Sequence, residues 1–159
     1  MKHFHTLALT AVMALATAGA SAQSTLTATG AWSRATPPGT TVGAAYLVID
    51  NRASRSDRLL SVSSPRAARV EVHATVHDGD TARMKRVDPL HVGAGERIDL
   101  EPGGMHLMLM GLDAPLREGE QVPLVLRFEV AGEVRVQARV FAPGQDAADE
   151  DHSHHHHGH

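Results

Sequence analysis

From Leu26 to Ala142 the chain never sustains a 3.6-residue apolar period over a helical length, and this absence limits its fold more than any other feature. Short runs alternate apolar and polar residues instead, and turn residues cut them apart. Candidate strands are 26–34, 43–50, 57–62, 69–77, 81–87, 96–100, 105–111, 121–130 and 133–141. Between them lie Pro37-Pro38-Gly39, Asn51, Ser63-Ser64-Pro65, Asp78-Gly79, Asp88-Pro89, Pro102-Gly103-Gly104, Asp113-Ala114-Pro115 and Ala131-Gly132. In the last run Val134, Val136, Ala138 and Val140 face one way, and Glu133, Arg135, Gln137 and Arg139 the other. Many short strands at regular spacing predict an all-β fold, an antiparallel β-sandwich or Greek-key barrel. The expected core draws on Trp32, Tyr46, Val48, Leu60, Val70, Val72, Ile98, Leu100, Leu107, Leu109, Leu124, Leu126, Phe128, Val134 and Val136.

The segment RVEVHATVH, residues 69–77, places Val70, Val72, Ala74 and Val76 on one face and Glu71, His73, Thr75 and His77 on the other. Asp78-Gly79 follows, a strong hairpin signal. If these two residues form the turn, His73 lies directly opposite Met84, with Cβ atoms about 4.5–5.5 Å apart. In HLMLM, His106 and Met108 share one face, while Leu107 and Leu109 take the other. The two pairs form the pattern H-x10-M-x21-H-x-M. A hairpin and an edge strand would thus bring two imidazoles and two thioethers together in a shallow four-coordinate site. Thioether sulfur is soft and imidazole borderline, so this donor set suits Cu(I) better than Zn(II), and Mg(II) or Ca(II) hardly at all. The same register sends Arg83 and Lys85 to the face of Ala74 and Val72. That requires either a hairpin tip projecting beyond the core or a bulge.

The 159 residues include no cysteine, which excludes disulfides, thiolate zinc sites and a blue-copper centre. A formal net charge of −3 without a basic cluster gives no reason to expect nucleic acid. No nucleophile–base pair or Gly-rich phosphate loop is visible, so an enzyme is not expected.

Three regions are expected. Residues 1–22 read as a signal peptide, with Lys2 before an apolar run from about Leu7 to Ala18 and the small-x-small pattern Ala20-Ser21-Ala22. Export to a periplasm is expected, with no membrane insertion after cleavage and, with no cysteine behind the apolar run, no lipid anchor. Residues 23–143 form the β domain. Residues 144–159, GQDAADEDHSHHHHGH, read as a disordered acidic, His-rich tail. Its His152, His154, His155, His156, His157 and His159 form a secondary candidate site for Cu(II), Ni(II) or Zn(II). The irregular His run and its acidic lead-in favour a native tail over a purification tag.

The ligand spacing, with PGGMHLMLMGL and LREGEQVPLVLRFE, resembles the PCu(A)C family of periplasmic copper chaperones. The resemblance spans about residues 25–141. It implies a cupredoxin-like β-sandwich and Cu(I) at His73, Met84, His106 and Met108. It also implies copper supply for cytochrome oxidase assembly, with subunit II of cytochrome c oxidase as recipient and a Sco-type thiol protein as collaborator. Some relatives carry Met straight after the first ligand, where this chain has Ala74. A monomer is expected.

Taken singly, His73 reads as a surface histidine and Met84 as core filler; the joint spacing argues for ligands. Met105 and Met110 are expected outside the donor set, and His77 and His91 in solvent. For Glu71 a solvated carboxylate is the first expectation and an acceptor for the His73 imidazole the second. The rival function is a periplasmic copper or zinc buffer without a dedicated recipient.

Overall fold

The computed structural model describes residues 25–147; the signal-peptide reading and the six tail histidines lie outside them. The described residues contain ten strands: β1 (Leu26–Arg34), β2 (Val42–Asn51), β3 (Asp57–Ser63), β4 (Ala67–Asp78), β5 (Thr81–Arg86), β6 (Leu90–Val92), β7 (Arg97–Leu100), β8 (Met105–Leu112), β9 (Gln121–Phe128) and β10 (Gly132–Phe141). Their order is β5-β4-β8-β2-β1-β10-β9-β3-β6, and β3 also pairs with β4. That last pairing closes a ring of β4, β8, β2, β1, β10, β9 and β3. The fold is thus a closed all-β barrel, with β5, β6 and β7 attached outside the ring. Closure leaves the ring itself no free edge.

All pairings are antiparallel except that of β1 with β10, which is parallel from Trp32↔Arg139 to Arg34↔Phe141. β1 reaches it through a register shift between Thr29 and Trp32. Gly30, at φ 61°, lies in the shifted stretch. A bulge of this kind bends a strand and re-aims the residues beyond it. Here it carries Arg34 and the adjoining loop toward the face of β8.

The core lies inside the ring, where Leu47, Ile49, Leu107, Leu109, Leu124 and Leu126 are fully buried. Each such side chain contributes about 1.5–3 kcal/mol of burial. Val48 and Leu60 depart from expectation. Leu47 and Ile49 point inward on β2, and Leu59 is buried while Leu60 is exposed. Both strands carry apolar residues at consecutive positions, so alternation did not fix which face turns in. Trp32 and Tyr46 stack with centroids 4.4 Å apart and pack with Phe141 in a separate aromatic cluster. Val134 and Val136 are half-buried against the main core.

Asp57 anchors the β9–β10 connection. Its carboxylate accepts from the backbone N–H groups of Val130 (2.9 Å) and Ala131 (2.8 Å). Burial raises its pKa, but these two bonds and a third from the Arg58 N–H outweigh that and hold it below the usual carboxylate value.

Candidate metal site

The hairpin register is the first correction. Asp78 pairs with Thr81, Thr75 with Met84 and His73 with Arg86. The two turn residues are therefore Gly79-Asp80, not Asp78-Gly79. Gly79 has φ 59° and, among the described residues, no non-glycine residue has positive φ. A two-residue turn with a left-handed glycine first and an ordinary residue second is type II′. The slip is two residues, so Met84 keeps the face expected of it and lies diagonal to His73. Diagonal neighbours are about 7–8 Å apart, within reach of a long thioether. Val76 and Ala74 face Arg83 and Lys85 without a bulge, because the tip projects: every residue of β5 is exposed.

β8 is the second correction, for it is no edge strand. It lies between β4 and β2. Its alternation sends Leu107 and Leu109 into the core and turns His106 and Met108 to the outer face of the barrel. His73 is the register partner of His106, with ring centroids 6.1 Å apart. Met108 sits between Glu71 on β4 and Ala44 on β2. Met84, His106 and Met108 line one cavity of about 360 Å³, walled by Arg34–Pro37, Thr40, Val42–Ala44 and Tyr46. Backbone bonds pin that wall: Ala35 N–H to Phe141 O (2.8 Å) and Thr36 N–H to Leu116 O (3.0 Å). His106 is only 7% exposed, whereas Met84 is 62% exposed. The last described residues run past the rim, where Arg34 Nε donates to the Gln145 carbonyl at 3.0 Å.

Each imidazole has one nitrogen committed. His73 Nε2 lies 2.9 Å from Glu71 Oε2. An ionised carboxylate only accepts, so Nε2 carries the proton and Nδ1 keeps a lone pair. His73 Nδ1 is buried without a hydrogen-bond partner. His106 Nδ1 faces the Gly104 carbonyl at 3.4 Å, a long contact that leaves its Nε2 as the lone-pair atom. Backing partners of this kind orient metal-binding histidines. Glu71 is thus not the solvated carboxylate first expected. The His73 hydrogen bond, followed by Arg86 and Arg69, holds its pKa below the usual carboxylate value against the opposing effect of desolvation. Its place on the His73 face was visible in the alternation; its ion pairs were not. Among the described residues, no three of His, Cys, Asp and Glu cluster closely enough to hold a metal ion. A metal centre built from the described residues, with their side chains as they stand, would therefore draw on the thioethers.

The LpqE-like lipoprotein family model matches residues 26–140. A structure of the copper-bound PCuAC domain from PmoF2 is 30% identical, covers 75% of this chain and 94% of its own, and superposes with a TM-score of 0.65. The solution structure of Cu(I)-DR1885 from Deinococcus radiodurans is 32% identical over 79% of this chain and 83% of its own, with a TM-score of 0.59.

The chain belongs to the PCuAC family.

Among curated relatives, the Leifsonia xyli subsp. xyli protein Lxx21020, named as a lipoprotein, is 34% identical over 99 residues, 62% of this chain and 58% of its own. Rickettsia prowazekii RP573 is 28% identical over 87 residues, 54% of this chain and 48% of its own. The chain thus spans about half the length of the curated relatives it matches. Within this PCuAC domain His77 and His91 are exposed. Met105 packs on the core, and Met110 Sδ lies 3.4 Å from Arg69 Nη2. Sequence reasoning missed the cavity wall. Pro37-Pro38-Gly39 marked a loop there, but nothing local said which face it covers.

Proposed function

We propose that this protein is a copper metallochaperone that carries Cu(I) on His73, Met84, His106 and Met108. The observation behind this reading is the meeting of Met84, His106 and Met108 at one cavity, beside a His73 whose Nδ1 is buried and unpartnered. Two imidazole lone pairs and two thioethers form a soft, neutral donor set suited to monovalent copper. Copper is cargo here, not a catalytic cofactor.

The asymmetry of the site suggests how cargo leaves. His106 is buried on a ring strand, whereas Met84 is exposed on a projecting hairpin. Exchange would begin at Met84, where an incoming ligand meets the metal without moving the barrel. The recipient on this reading is the copper site of cytochrome c oxidase subunit II, with a Sco-type thiol protein as collaborator. The lipoprotein family model and the Leifsonia relative named as a lipoprotein support an exported protein. On this reading it is periplasmic, with residues 1–22 as its signal peptide, residues 23–143 as a monomeric copper-binding domain and residues 144–159 as the tail. The tail histidines His152, His154, His155, His156, His157 and His159 would collect Cu(II). The anchoring of Gln145 at Arg34 starts that tail at the cavity rim. At about 3.3–3.6 Å per residue, its histidines can span the site and raise local copper there.

X-ray absorption on Cu(I)-loaded protein tests the reading. Wild type is expected to show about two sulfur and two nitrogen scatterers, with Met84→Leu and Met108→Leu each losing one sulfur. Unchanged sulfur scattering in both variants would overturn it.

A further inference from the structure

A hard oxygen donor stands next to the soft set, and the chain ties it down. Glu71 shares a face of β4 with His73 and is the register partner of Met108. Its side chain is 12% exposed, and both oxygens are occupied. Oε2 meets His73 Nε2 at 2.9 Å; Oε1 meets Arg69 Nε at 2.9 Å and Arg86 Nη1 at 3.4 Å. Arg86 stands directly across from His73 on β5, and Arg69 is two residues before Glu71 on the same face. Two imidazoles and a carboxylate are a common zinc set. As the side chains stand, these three are not gathered closely enough to hold an ion; a Glu71 freed of its arginines would have to swing toward the two imidazoles to supply the third member.

We propose that Arg69 and Arg86 act as a clamp that holds Glu71 out of the donor set and so makes the site selective for Cu(I) over Zn(II). This rests on the Cu(I) reading of the site. The clamp works by occupancy: it satisfies the oxygen that would otherwise seek a cation. Arg86 is itself paired with Asp88, so the two guanidiniums and two carboxylates balance and the cluster adds no net charge. Arg69 and Arg86 are positioning residues; neither offers a lone pair to a metal.

The test is competitive titration of apo protein with Zn(II) and, anaerobically, with Cu(I), against chelators of known affinity. Wild type, Arg69→Gln/Arg86→Gln and the same pair combined with Glu71→Gln are compared. Both arginines are more than half exposed, so the glutamine variants should fold, as a thermal melt would verify. The double variant is expected to bind Zn(II) at least about ten-fold tighter, the scale on which outer partners tune metal sites. Adding Glu71→Gln should abolish that gain. An unchanged zinc constant in the double variant, in a protein whose wild type takes Cu(I), would overturn the clamp. So would a zinc gain that survives Glu71→Gln, since the carboxylate would then not be its source. A wild type that takes no Cu(I) would instead overturn the chaperone reading.

Discussion

Replacing Met84 by leucine separates metal binding from folding. Met84 is 62% exposed, and all of β5 lies in solvent. A surface change of this kind alters stability by no more than about 0.5 kcal/mol, so the melting temperature without metal should hardly move. Metal should reveal the difference. A ligand at one hundred times its Kd stabilises the folded state by about 2.7 kcal/mol; if losing one thioether weakens binding about a hundred-fold, the same ligand gives only about 0.4 kcal/mol. The gap of about 2.3 kcal/mol corresponds to a loss on the order of 10 °C in the copper-induced shift for a domain of this size. Thermal melts of wild type and Met84→Leu, with and without buffered Cu(I) under anaerobic reductant, read both quantities. A variant that keeps the full shift refutes Met84 as a ligand. One that melts several degrees lower without metal refutes the claim that the hairpin projects free of the core.

Two further perturbations have definite expected outcomes. Asp57→Ala should cost about 2–4 kcal/mol in denaturant unfolding, since three backbone donors lose a charged acceptor. Because the folded-state pKa of Asp57 is lowered, its contribution is fully present above the unfolded value and fades as pH falls through about 4 toward the folded one. The margin of wild type over Asp57→Ala should therefore shrink in acid; a constant margin would exclude the charge as its source. Removing residues 144–159 should lower the number of bound Cu(II) ions in equilibrium dialysis while sparing one Cu(I).

Nearly every strand was legible in the alternation, because half-buried strands write their two faces into the sequence. β6, with only Leu90, His91 and Val92, was too short to carry a period. The parallel union of β1 with β10 joins strands far apart along the chain, and no local signal encodes such a pairing. At the hairpin, Asp78-Gly79 announced a turn but not its centre. The choice between two registers rested on which residue would take the left-handed conformation. Because the alternatives differ by two residues, the face of Met84 survived the error, though its expected partner did not. Glu71 shows the opposite limit. Its face was readable, yet its meaning depends on Arg86, fifteen positions away and brought alongside only by the corrected register.

On the proposed reading, the position of the site explains how one small barrel would both hold and release an ion. Leu107 and Leu109 carry the fold inward while His106 and Met108, on the same strand, face the cavity outside. Chemistry on the outer face can then be altered by ligand exchange without opening the core, where removing one leucine side chain would cost about 2–5 kcal/mol. The four candidate ligands also differ in how firmly the fold holds them. His106 is buried on a ring strand, His73 is backed by Glu71, Met108 stands between β4 and β2, and Met84 alone is on the projecting hairpin. A carrier needs such a gradient: three positions set by the barrel to capture the metal, and one that yields to a competing donor.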